Sequence, residues 1–170
     1  YKHAITKTDT LKNYAMINIC AKKWGLIIAV TRFVHFGELP AELSKNQEHV
    51  TDIYSAILAN LKPGSKVADI FKNIKEVYNT HGFPEAWKQH HMGGAIGYKE
   101  REYKAYPGCD YIVMENQAFA WNPTLPGAKV EDTIIVTDGG VETLTYTGNW
   151  SYQTVEKSGQ VFEVPQILVK

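Results

Sequence analysis

The sequence has no excess charge of either sign: 18 Lys and Arg balance 18 Asp and Glu across 170 residues. No net field draws in nucleic acid or an acidic membrane surface, so neither is an expected partner. Cysteine is scarce. Cys20 and Cys109 cannot make a disulfide framework and cannot by themselves make a zinc site, which fits a reducing, cytoplasmic location. The longest apolar run, 24–30, falls well short of the roughly 20 residues that span a bilayer. The first residues lack the apolar region of a signal peptide. Repeats, proline-rich linkers and single-sign charge runs are also missing. With 44% apolar and 21% charged residues, the composition is that of one globular domain over 1–170. Because it opens on Tyr1 and enters a strand pattern within a few residues, the chain reads as a piece of a longer one.

What is present divides by periodicity. Residues 14–21 and 25–36 are rich in β-branched and aromatic side chains and are separated by a loop of hairpin length. Apolar residues at steps of three and four, from Leu43 through Ile53 and Ile57 to Leu61, predict a helix over 41–61 that stops at Pro63-Gly64. Val67, Ile70, Phe71, Ile74, Val77 and Tyr78 predict a second helix over 66–80, closed by Gly82 and Pro84. Short strands are then expected at 94–100, 111–121, 128–137, 141–146 and 160–169, with a turn at Asp138-Gly139-Gly140 and an edge or bend at Pro165. Strands, helices and strands again, without βαβ alternation, predict an α+β fold with a largely antiparallel sheet.

Two stretches carry chemistry. In His90-His91-Met92-Gly93-Gly94-Ala95-Ile96-Gly97, glycine lets another group approach the backbone closely, as in a cleft wall or in a plain turn with two surface histidines. No helix pattern follows to supply the dipole of a phosphate cradle. In the apolar strand at 128–137, alternation points Glu131 away from Val130 and Asp132, into whatever the sheet encloses. A salt-bridged structural glutamate fits the same pattern. Trp24, Trp87, Trp121 and Trp150 read as core and rim. Lys99-Glu100-Arg101-Glu102 reads as a solvated strand end with paired charges, although Arg101 offers a planar fork suited to a ligand carboxylate. Cys20 reads as a small core hydrophobe. His35, His49 and His81 read as structural or surface residues.

In order and spacing these segments resemble the pita-bread metallopeptidase family, which includes methionine aminopeptidase, aminopeptidase P, prolidase and the metal-free creatinase. The resemblance covers nearly the whole chain. It rests on Thr31-Arg32 and Phe36-Gly37, the 90–97 segment, Asn122-Pro123-Thr124, Pro126-Gly127, Val130-Glu131-Asp132-Thr133 and Gly140-Val141-Glu142-Thr143-Leu144-Thr145. It implies a curved antiparallel sheet with the 41–61 and 66–80 helices on its convex face, the chain supplying the C-terminal two thirds of such a domain.

The family's dinuclear centre uses two aspartates, a histidine and two glutamates. Asn18, Ala29, Gly94, Asn122 and Glu131 stand at those positions here. Hard divalent ions need several anionic oxygen donors, and a single carboxylate cannot bridge and hold two of them. Without them the two-metal mechanism has neither its activated water nor its clamp on the scissile carbonyl. The resemblance therefore implies no metal and no cofactor. Its leading implication is a non-peptidase domain that binds a small peptide-like or amino-acid-like ligand through Asn18, His91, Arg101 and Asn122. The alternative is a metal-independent, creatinase-like amidohydrolase in which His3 and His90 do acid/base work beside Glu131. A divergent metallopeptidase is the third reading. Whether the chain is an enzyme stays open at this point, and so does its oligomeric state, a homodimer being compatible with the resemblance because such relatives often pair.

Overall fold

The computed structural model describes Thr8 and residues 10–170. Strands β1 (Tyr14–Lys23) and β2 (Leu26–His35) pair antiparallel along their full length, from Tyr14 opposite His35 to Lys23 opposite Leu26. Trp24 and Gly25 turn the chain between them with φ of 53° and 87°, the handedness that suits the twist of a two-residue hairpin. Helices α1 (Ala41–Asn60) and α2 (Val67–Thr80) lie where the apolar spacing places them. Along α2, Ile70, Phe71, Ile74 and Tyr78 form one buried stripe, each contributing about 1.5–3 kcal/mol of apolar burial.

The remaining strands are short. They are β3 (Gly93–Ala95), β4 (Tyr103–Lys104), β5 (Ala118–Trp121), β6 (Thr124–Leu125), β7 (Ala128–Lys129), β8 (Asp132–Thr137), β9 (Gly140–Thr143), β10 (Tyr152–Lys157), β11 (Gln160–Pro165) and β12 (Leu168–Val169). One antiparallel sheet runs in the order β4-β3-β5-β8-β9, and β12 joins the first hairpin parallel to β2. Alternation along β5 and β8 sends Phe119, Trp121, Ile134 and Val136 into the core shared with the helices. Ala120 faces the other way and packs with Ile27, Ala29 and Ile96. The helices thus cover one face of the sheet, and the first hairpin lies against the other.

The two sheets are stitched together beside residue 131. The Thr31 N–H donates to the Glu131 carbonyl at 3.0 Å, while the Thr133 hydroxyl accepts from the Ala29 N–H at 2.8 Å and donates to the Ala29 carbonyl at 3.0 Å. Several expected boundaries change. The strand expected at 94–100 ends at Ala95, because residues 97–100 bend and the Glu102 carboxylate accepts from the N–H groups of Tyr98 and Lys99. Of 111–121 only the last four residues are strand, and 128–137 breaks at 130–131 into β7 and β8. Strands β4, β6 and β10 lie outside the expected strands. No helix among the described residues is long and apolar enough to cross a membrane.

Candidate functional site

The turn at Pro126-Gly127 folds β7 back on β6, setting Lys129 opposite Thr124. Two residues further on, Glu131 meets the hairpin, where Thr31 on β2 lies opposite Asn18 on β1. Glu131 Oε2 accepts from Thr31 Oγ1 at 2.7 Å, Lys129 Nζ at 2.7 Å and Asn18 Nδ2 at 3.3 Å. Its Oε1 accepts from Arg101 Nη2 at 3.0 Å. The charged side chains are largely enclosed, those of Glu131 and Lys129 each 4% exposed and that of Arg101 9% exposed, while Asn18 on the outer strand of the hairpin is exposed. Burial by itself would push the Glu131 carboxyl up. Lys129, Thr31 and Arg101 more than offset this and hold it below the usual glutamate value. The carboxylate is ionised at neutral pH, and both its oxygens are in use.

A cavity of about 320 Å³ opens beside this group. Of the expected site residues, Asn18, His91, Arg101, Asn122 and Glu131 line it. His90 stacks on the His91 ring at 4.4 Å between centroids. His3 lies outside the described residues. Burial, then His90, Arg101 and Lys104, lower the His91 pKa to about 4, so its ring is neutral at pH 7. His91 Nδ1, Arg101 Nε and Asn122 Oδ1 are buried without a hydrogen-bond partner among the described residues. A more apolar hollow of about 440 Å³, walled by Tyr14, Met16, Phe33 and Leu125, shares Lys129 with the cavity.

Four lining residues were not picked out by the sequence as site residues: Cys20, Glu100, Lys104 and Lys129. Lys129 had a legible signal, since alternation places positions 129 and 131 on one face of a strand. Cys20 corrects an expectation. It is exposed, not a core residue, because β1 is the edge strand of its sheet and Cys20 shares with Asn18 the face turned to the cavity. Arg101 corrects another: in place of a solvated strand end it lies in an irregular stretch after the bend at 97–100, and its side chain is 9% exposed and paired with Glu131.

The family model described as metallopeptidase family M24 matches residues 1–138. An uncharacterised peptidase of Staphylococcus epidermidis is 26% identical over 122 residues, which are 68% of this chain and 34% of the relative. The chain therefore spans about a third of the length of the curated relative it matches. Among solved structures, prolidase from Thermococcus sibiricus superposes with a TM-score of 0.76 at 21% identity, over 86% of this chain and 42% of that one. The X-Pro aminopeptidase from Thermotoga maritima gives 0.73 at 21% identity, over 92% and 42%. At such identity the likeness is one of fold.

Proposed function

Because this chain belongs to metallopeptidase family M24, we propose that it is a member whose cleft has exchanged two-metal peptidase chemistry for binding of a small peptide-like or amino-acid-like ligand. The residues at the five positions that the resemblance assigns to metal ligands do not fit a pair of divalent ions. A Cβ at Gly94 would lie 2.0 Å from the Tyr103 carbonyl oxygen, so this backbone has no room for a histidine there. Ala29 is fully buried and packs with Ile27, Ile96 and Ala120. Asn18 and Asn122 are neutral donors. Among the described residues no group of three His, Cys, Asp or Glu gathers to hold a metal.

The observation that carries the reading is the Arg101–Glu131–Lys129 cluster, in which protein cations occupy both oxygens of the one remaining carboxylate. A ligand site is supported by the adjoining hollows, one lined by polar groups and one mostly apolar, at the small end of the range for ligand pockets. A cytoplasmic location, supported by the two free thiols, belongs to the same reading. The metal-independent amidohydrolase keeps one observation: the neutral His91 ring lines the cavity, as a weak base because burial and its cationic neighbours disfavour the proton.

Xaa-Pro dipeptides decide among these. With the dipeptides supplied in chelator or in manganese, the expected result is calorimetrically measurable binding and no turnover in either condition. Manganese-dependent turnover overturns the reading. Chelator-resistant turnover abolished by His3→Ala, His90→Ala or His91→Ala replaces it with the amidohydrolase.

A further inference from the structure

The cleft's charges do not balance. Arg101 and Lys129 are two buried cations facing one buried carboxylate, Glu131. At the rim, exposed Lys104 and Glu100 offset each other. Asp132, the next acid along the chain, is engaged by Arg32 at 2.7 Å and Thr145 at 2.5 Å, and so is not available to compensate. One buried positive charge is therefore surplus among the described residues. Such a charge is strongly unfavourable unless an anion meets it. Next to it stand Arg101 Nε and Asn122 Oδ1, both without a partner among the described residues, on side chains that line the cavity and are themselves enclosed, Arg101 at 9% exposure and Asn122 at 2%.

Resting on the ligand-binding reading, we propose that this cavity is a carboxylate site: it takes a small ligand with one carboxylate, held by the surplus charge of the Arg101–Lys129 pair, and one amide N–H, offered to Asn122 Oδ1. A position where the resemblance puts acidic side chains around cations has here become basic and takes an anion. A carboxylate fits better than a phosphate because the surplus is a single charge, whereas a phosphate monoester carries about −1.5 to −2 at neutral pH. The guanidinium fork suits the planar group. The chemistry is that of the C-terminal residue of a peptide or of an N-acylated amino acid.

Cys20 is the reporter, being exposed on the cavity wall while Cys109 is buried. Its alkylation by iodoacetamide is followed in the 170-residue chain with N-acetylalanine, with N-acetylalanine amide and with inorganic phosphate. The acid is expected to protect Cys20 saturably, and the amide to bind about 10- to 100-fold more weakly, as for loss of a charge-assisted contact. Lys129→Met should erase the acid's advantage. Glu131→Gln, which raises the surplus, should tighten the acid several-fold, a direction that mere structural damage does not give. Equal protection by acid and amide overturns the carboxylate assignment and leaves the ligand-binding reading standing. Protection by neither overturns both, and stronger protection by phosphate replaces the assignment with a phosphate site. The comparison of acid with amide uses the unaltered chain, so it decides even where a variant fails to fold.

Discussion

Glu131 and Lys129 differ in what their removal leaves behind. Glu131→Gln strands two buried cations without their shared carboxylate, and its expected cost in denaturant unfolding is about 3–5 kcal/mol. Lys129→Met keeps the Arg101–Glu131 pair and removes the surplus charge, so the expected change is under about 1 kcal/mol in the ligand-free chain. Equal losses would mean that Arg101 alone does not satisfy the carboxylate. His91 gives a pH signature. Its pKa, 6.5 when unperturbed, falls to about 4 in the folded chain. Between those values the unfolded state binds a proton that the folded state refuses. Stability from this residue is thus complete above 6.5 and is lost as pH falls toward 4. His91→Gln should lose less melting temperature than the unaltered chain across that window, and identical slopes would contradict the assignment. At this scale the sequence showed Glu131, because an acid inside an apolar strand demands a partner. Alternation puts Lys129 on the Glu131 face, but nothing in the sequence showed its burial, because a strand lysine beside a turn ordinarily reaches solvent. The fold encloses it by closing the hairpin over the seam between the sheets.

The first hairpin and both helices were legible because each carries its own period and its own stop signals. The glycine-dense segment was harder. Strand β3 lies between β4 and β5 with Gly94 opposite both Lys104 and Ala120, a proximity that no local pattern encodes. A methyl group there would meet the Tyr103 carbonyl oxygen at 2.0 Å and the Lys104 Cα at 2.9 Å, both backbone atoms. Gly94→Ala must therefore displace β4 and with it the segment that carries Arg101, and the expected cost is above about 3 kcal/mol. Gly82→Ala is the control. It has φ of +84° but nothing within 4 Å of an added Cβ, so it should cost only the backbone strain of about 1–2 kcal/mol. Thermal unfolding of the two variants checks this, and equal losses would show that β3 does not hold β4 in place. The overextended strands at 94–100 and 111–121 share one cause: apolar and aromatic residues in irregular segments carry the same composition as strands, and only tertiary hydrogen bonds separate them.

For the whole molecule, the α+β arrangement followed from the order of the elements, and membership of family M24 accounts for the placement of the hairpin against the sheet. The chain's overall neutrality concealed the sign of its cleft. Eighteen positive and eighteen negative side chains cancel in the sum, yet two of the cations are buried together around one acid. That local sign is set by which residues the two sheets bring to their seam, and composition does not record it. The central claim is that protein cations stand on Glu131 where the resemblance would put metal. Equilibrium dialysis of the chain against manganese, followed by elemental analysis, tests it most directly. The expected result is no manganese retained above the level of an unrelated control protein. Stoichiometric manganese, lost again in Glu131→Gln, would contradict it.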